Sequence, residues 1–166
     1  MKSNIVLIGM PGVGKSTIGV ILAKILGYHF LDSDLVIQER EAKRLHQIIA
    51  EKGTEGFLEI ENDVNASLEA ERTIIATGGS AVYGKEAMMH LKEIGEVVYL
   101  KADYQTIKKR LGNLEKRGVA LKTGQTLKDL YDERTALFEK YADYTISEEG
   151  LELEETIDKV LELFEA

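Results

Sequence analysis

Near its start the chain carries Gly9-Met10-Pro11-Gly12-Val13-Gly14-Lys15-Ser16, which fits the pattern G-x-x-x-x-G-K-[ST] at every required position. Those residue types have a specific use. The glycines let the backbone take unusual torsions and approach an anion closely. Successive N–H groups in such a turn point inward and form a nest for phosphate. Lys15 can reach the β- and γ-phosphates of a nucleoside triphosphate, and the Ser16 hydroxyl can ligate Mg²⁺. We read Lys15 as a charge on a surface loop. Further along, Asp32-Ser33-Asp34 places two carboxylates at i and i+2. Asp32 suits a metal ion held through water. Asp34 suits the deprotonation of an acceptor hydroxyl, with a helix N-cap as its structural alternative. Gly78-Gly79 either lays bare backbone against a ligand or makes a plain tight turn. Arg117 reads either as a loop residue that closes on phosphates or as a solvated charge. Arg134 either snorkels or serves a pocket.

These residues need elements to hold them. The apolar run Asn4–Ile8 predicts a buried parallel strand, and Ser16–Leu26 a helix stopped by Gly27. His29–Leu31 predicts a second strand that delivers the aspartates at its carboxyl end, where α/β sheets bind ligands. Helices follow over about 35–42, 45–52 and 55–71, with Gly53 closing the second. The strand at 73–76 runs into the glycine pair. A helix over 85–94, a strand over 96–100 and a helix from Asp103 to about Leu111 come next. The basic residues Lys108, Lys109 and Arg110 favour the negative end of that last helix. Residues 112–125 lack an apolar face and read as a mobile loop. Thr126 and Asp129 cap a helix running to about Ala142. A short fifth strand over 143–146 and a helix presenting Leu153, Ile157, Val160, Leu161 and Phe164 close the chain. This alternation predicts an α/β fold, a parallel five-stranded sheet sandwiched by helices in a three-layer α/β/α arrangement.

Composition narrows the function classes. The chain has 166 residues, enough for one domain with a sizeable core. It carries 21 basic and 29 acidic residues, a net charge of −8, which argues against nucleic acid or an anionic membrane as partner. It has no cysteine, which excludes disulfides, thiolate catalysis and cysteine–zinc sites. No signal peptide precedes the first strand, and no apolar run approaches the roughly 18 residues of a membrane span. We expect a cytoplasmic, monomeric protein.

The motifs taken together resemble the shikimate kinase family, within the nucleoside-monophosphate-kinase-like branch of the P-loop NTPase fold. The resemblance rests on GMPGVGKST at 9–17, FLDSD at 30–34, GTEGF with Glu61, ATGG at 76–79, Arg117, and DERTALFEKYAD at 132–143. It implies a strand order of 2-3-1-4-5 and a single kinase domain, with acceptor-binding helices at about 35–62 and a lid at about 112–125. It implies ATP and Mg²⁺, a small hydroxyl acceptor and a place in aromatic amino acid biosynthesis. The nucleotide would lie on Gly12, Val13, Gly14, Lys15, Ser16 and Thr17, with Arg110 near adenine and Arg117 on the phosphates. Ser16 and Asp32 would serve the metal. Lys15, Asp34 and Arg117 would be catalytic. Asp34, Glu61, Gly78, Gly79, Arg134 and the positions of Leu58 and Ser80 would face the acceptor.

The chain departs from the family pattern at four places. Leu58 stands where the family has an arginine for the acceptor's carboxylate, Ser80 where it has a third glycine, and Gly118 and Ala136 where it has prolines. The ATP half is intact and the acceptor half is altered. Three functions follow as alternatives: a shikimate kinase with a modified pocket, a kinase for another small hydroxy or amino compound, or a nucleotide-binding module without catalysis. Glu61, deprived of the family arginine, is either solvated, paired with Arg40 or Arg44, or open to a cation on the substrate.

Overall fold

The computed structural model describes residues 2–111 and 124–164. β1 (Asn4–Ile8) is buried along its whole length. A strand buried on both faces belongs inside a sheet that is covered on both sides. It pairs in parallel with β3 (Thr73–Ala76) and β4 (Gly95–Lys101), with Val6 opposite Ile75 on one side and Val97 on the other. β2 (His29–Asp32) lies outside β3, and β5 (Tyr144–Ser147) outside β4. The order is β2-β3-β1-β4-β5, as the resemblance implied.

Helices cover the sheet. α1 (Lys15–Leu26) packs on β2 and β3, with α7 (Leu153–Phe164) beside it. α2 (Ser33–Glu41) leads into α3 (Leu45–Ala66), which packs against α4 (Lys85–Ile94). α5 (Tyr104–Arg110) and α6 (Leu127–Tyr141) follow β4. The main core joins β1, β3 and β4 to α1, α4, α6 and α7. A second, smaller apolar cluster of Ile37, Ile48, Phe57 and Val64 holds α2 to α3.

Gly53 breaks α3 as expected, with φ 74° and ψ 174° inside an otherwise continuous helix. The helix stops at Ala66, short of the expected Glu71. Ser67 turns its hydroxyl back to the Val64 carbonyl at 2.8 Å, and Leu68 leaves the helix to enter the main core. β5 begins at Tyr144 because Asp143 is occupied otherwise. Its carboxylate accepts from the Val97 N–H at 2.8 Å and pairs with Lys92 at 2.8 Å. The predicted capping box of α6 is present, with Thr126 and Asp129 each bonding the other's backbone N–H at 3.1 Å. Among the described residues no helix is long and apolar enough to cross a membrane.

Candidate active site

The site opens at the carboxyl ends of β1, β2 and β3. Beyond Ile8 the chain turns through the glycine-rich loop, and Gly12 and Gly14 take φ of 88° and 92°, values strained for any side chain. Gly14 is the N-cap of α1, so the helix's unpaired N–H groups and positive dipole end face the loop. Lys15 is not the surface charge expected from the sequence. It is 7% exposed, and its Nζ donates to the carbonyls of Gly9 at 2.6 Å and Met10 at 2.8 Å. The loop thus curls around its own lysine, and the Met10 carbonyl also accepts from the Val13 N–H at 3.4 Å. Burial pulls the Lys15 pKa down to about 8, against the pull of Asp34 in the other direction. Val13 puts its side chain in the core. Ser16 and Thr17 are exposed on the first turn of α1. Arg110 reaches across from α5 and donates to the Gly12 carbonyl at 2.9 Å.

The aspartate pair divides its work differently from the simplest expectation. Asp32 is the N-cap of α2, with Oδ1 accepting from the N–H groups of Asp34 at 2.9 Å and Leu35 at 3.4 Å. Its Oδ2 accepts from the Ser16 hydroxyl at 2.8 Å. Capping therefore does not occupy Asp34, whose side chain points at the turn after β3. Burial, then the nearby Asp32, push the Asp34 pKa up to about 6, while Lys15 holds it back.

On the acceptor side the glycine pair is required by space. A Cβ on Gly78 would stand 2.5 Å from Asp34 Oδ1 and 3.0 Å from Glu61 Oε2. A Cβ on Gly79 would meet Pro11 at 2.6 Å and Arg134 Nη1 at 3.0 Å. The backbone thus threads between two carboxyl groups and a guanidinium. Arg134 does not snorkel. It is 1% exposed, and its guanidinium lies over the Tyr83 ring, 5.4 Å from the centroid. Glu61 is neither solvated nor paired with a new arginine. It is 1% exposed, and its Oε1 accepts from the Ser80 hydroxyl at 2.6 Å. Arg40 is engaged with Ser67 at 2.9 Å, and Arg44 is exposed at the start of α3. Burial drives the Glu61 pKa up to about 8, with the Ser80 hydrogen bond opposing. Leu58 is half-buried against the small α2–α3 cluster.

One cavity of about 360 Å³ connects these groups. Gly12, Gly14, Lys15, Ser16, Thr17, Asp34, Gly78, Gly79, Ser80 and Arg134 all line it, and Leu58 and Glu61 are absent from its wall. Pro11, Leu45, Phe57 and Thr77 complete the lining without having been singled out as site residues. Tyr83 and Glu148 also went unread. Neither belongs to a local motif, and only the packing of α6 and of the segment after β5 brings them here. Glu148 lies 3.9 Å from Arg110 Nη1, and burial pushes its carboxyl up to about 7. Arg117 and Gly118 lie outside the described residues.

A family model described as shikimate kinase matches residues 11–165. The shikimate kinase of Vibrio parahaemolyticus is 38% identical over 170 positions, covering 99% of this chain and 97% of that protein. That of Thermodesulfovibrio yellowstonii is 35% identical, covering 98% and 95%. A solved structure of shikimate kinase from Acinetobacter baumannii in complex with shikimate matches with a TM-score of 0.82 at 29% identity, covering 98% of this chain and 93% of that one.

Proposed function

Because the chain belongs to the shikimate kinase family, we propose that it transfers the γ-phosphoryl group of ATP to a hydroxyl of shikimate. One observation supports this most strongly: the phosphate loop, Asp34, the bare Gly78–Gly79 backbone and Arg134 line a single cavity. Donor and acceptor can thus lie end to end between Lys15 and Arg134, the in-line arrangement that phosphoryl transfer needs.

On this reading the loop N–H groups and the α1 terminus bind the phosphates, along the run from Gly12 to Thr17. Lys15 exchanges its bonds to the Gly9 and Met10 carbonyls for phosphate oxygens and neutralises charge as it develops. Asp34 orients the acceptor hydroxyl and takes its proton while the oxygen bonds to phosphorus and ADP departs. Arg134 binds the acceptor's carboxylate. Arg110 flanks the base, and Arg117 closes from the lid. The donors fit Mg²⁺: Ser16 Oγ and Asp32 Oδ2 are hard oxygens already side by side, and this ion is characteristically held by few protein ligands together with phosphate and water. Bound there, it would neutralise phosphate charge. α2 and α3 form the acceptor subdomain of a single domain. We read the enzyme as a cytoplasmic monomer.

The test is ADP release by the purified chain across a panel of hydroxy acids, amino alcohols and polyols, with light scattering for the mass. Shikimate-dependent ADP release is expected, and its absence in the presence of ATP turnover on another acceptor would reject the assignment. Leu58 favours a second reading, in which another small hydroxy or amino acid is the preferred acceptor. That reading expects a shikimate KM above the ~1 mM upper end of typical values. It also expects Leu58→Arg to raise shikimate kcat/KM by about tenfold or more. A micromolar KM for shikimate in the wild type ends it.

A further inference from the structure

The phosphate loop is held from outside as well as from within. Its first glycine abuts β4, where a Cβ on Gly9 would stand 2.6 Å from the Leu100 carbonyl. Gly12 lies against the end of α5, where a Cβ would stand 3.3 Å from Arg110 Cβ. At that contact Arg110 Nη1 donates to the Gly12 carbonyl at 2.9 Å. The same Nη1 lies 3.9 Å from Glu148 Oε1, an ion-pair distance. Glu148 follows β5, and its backbone N–H donates to the Lys101 carbonyl at 2.8 Å, so the strand ladder fixes where its side chain begins. The carboxyl is nearly enclosed, at 9% side-chain exposure, and Oε1 has no hydrogen-bond partner among the described residues. Lys101, on the adjacent strand, turns to Glu139 at 3.5 Å instead. The cations that act on Glu148 are Arg110 and, more weakly, Lys15. A carboxylate so enclosed is costly to keep unless a cation answers it, and Arg110 is the one placed to do so.

The Gly12 carbonyl matters because of what its peptide carries on the other side. In a planar trans peptide the C=O and the following N–H point in opposite directions. With the Gly12 carbonyl held outward by Arg110, the Val13 N–H turns inward and crosses the loop to the Met10 carbonyl at 3.4 Å. That carbonyl also accepts from Lys15 Nζ at 2.8 Å. A bond of 3.4 Å is long for an amide and does little to fix the peptide by itself. Gly12 has no side chain to resist rotation. Resting on the reading that this loop binds the phosphates of ATP, we infer that Arg110 and Glu148 are positioning residues for those phosphates. Glu148 fixes the Arg110 guanidinium, Arg110 fixes the peptide between Gly12 and Val13, and the loop stays closed around Lys15. Arg110 then serves the phosphates as well as the base. Glu148, although an anion beside the phosphate site, strengthens phosphate binding. Simple charge repulsion predicts the reverse sign for Glu148, so the two accounts are separable.

The experiment is titration calorimetry with ATP and with tripolyphosphate, which has no base, with Mg²⁺ present for both. It is run at pH 8, where Glu148, raised to about 7 by burial, is ionised. Arg110→Met should weaken both ligands by about tenfold or more, the scale of a hydrogen bond from a charged group. Glu148→Met fills the volume and accepts nothing. It should weaken both by about threefold, the scale of a partly exposed ion pair. Glu148→Gln keeps an acceptor of the same shape and should restore part of that loss. In an Arg110→Met background, Glu148→Met should cause no further weakening, because the carboxylate acts only through the guanidinium. Amide hydrogen exchange gives a readout without ligand: the Val13 N–H should exchange about threefold faster or more in Arg110→Met. Unchanged or tighter binding of tripolyphosphate by Glu148→Met overturns the inference, as does Glu148→Gln binding no better than Glu148→Met. Loss of ATP affinity in Arg110→Met with tripolyphosphate affinity intact would reduce Arg110 to a base contact and overturn it too. So would further weakening by Glu148→Met once Arg110 is gone, or Val13 exchange that does not move. A wild type that binds neither ligand overturns the phosphate-loop reading instead, and Val13 exchange then decides the clasp by itself.

Discussion

Two side chains at the centre of the site carry separable roles. Lys15 is enclosed by its own loop and bonded to two of its carbonyls. Methionine at this position keeps the stem and removes the charge, so burial without an ammonium should leave the fold intact. Lys15→Met should lower kcat by ~10²-fold or more, since it removes a cation aimed at developing charge. Steady-state kinetics with a thermal melt on the same sample checks both halves, and retention of more than about a tenth of kcat would remove Lys15 from the mechanism. Asp34 has the opposite character. It does not cap α2, and it shares the cavity with Lys15, whose charge it partly offsets. Asp34→Asn should lower kcat by about 10²- to 10⁴-fold, the range for a lost general base, while ATP binds as well as before or better because a negative charge has left the phosphate site. Titration calorimetry with ATP and turnover at saturating acceptor separate the two effects. A collapse of ATP affinity with normal turnover of the bound nucleotide would move Asp34 to the metal site.

At the level of elements, the sequence made visible whatever a short local pattern encodes. The motif from Gly9 to Ser16, the apolar run before it and the helix after it identify the strand–loop–helix unit without a structure, and Gly53 and the Thr126–Asp129 box mark their breaks correctly. What stayed hidden depends on contacts between distant elements. The Ser80–Glu61 bond joins the turn after β3 to α3, and the Arg134–Tyr83 stack joins α6 to the segment before α4. No spacing rule pairs those residues. The assignment of the helix cap shows the boundary well. Asp32 and Asp34 are both plausible caps by residue type, and only the extended backbone of Asp32, with φ −103° and ψ 114°, decides between them. Asp32 thereby links two elements, capping α2 and accepting from Ser16 on α1. These tasks can be pulled apart. Asp32→Ala should destabilise the protein by about 1 kcal/mol through loss of the cap. Asp32→Ser, another good cap, should recover most of that stability and still leave Mg²⁺-dependent turnover strongly reduced, because serine lacks the anionic oxygen beside Ser16. Chemical denaturation and a Mg²⁺ titration of activity make the comparison, and full activity in Asp32→Ser would confine Asp32 to capping.

Across the whole molecule, the sheet order and layers follow from alternation of apolar runs, but the electrostatic character of the site emerges only when the strands' carboxyl ends come together. Asp34, Glu61 and Glu148 then crowd around Lys15, all three carboxyls pushed up and the lysine pulled down, with burial the leading cause each time. A site that desolvates charges in this way stabilises the fold less than an apolar one would, a trade-off common where function needs them. Its signature should be visible in the pH dependence of stability. Glu61 is the clearest case, raised from 4.5 to about 8. The sign follows from proton counting. Between those two pH values the native state keeps the Glu61 proton and the unfolded chain has released it, so the native state binds more protons and stability falls as pH rises. The contribution is complete below about pH 4.5 and lost by about pH 8, with a slope of up to about 1.4 kcal/mol per pH unit. Glu61→Gln stays neutral throughout and can still accept from Ser80 through its amide oxygen. The two proteins should therefore have similar unfolding free energies near pH 4.5, with the glutamine variant gaining steadily on the wild type up to pH 8. Subtracting one denaturation series from the other cancels the slopes due to Asp34, Glu148 and the surface carboxylates. A difference that stays constant with pH, or that favours the wild type at pH 8, would mean that Glu61 is ionised in the folded protein, and that the buried carboxyl beside Gly78 holds a negative charge.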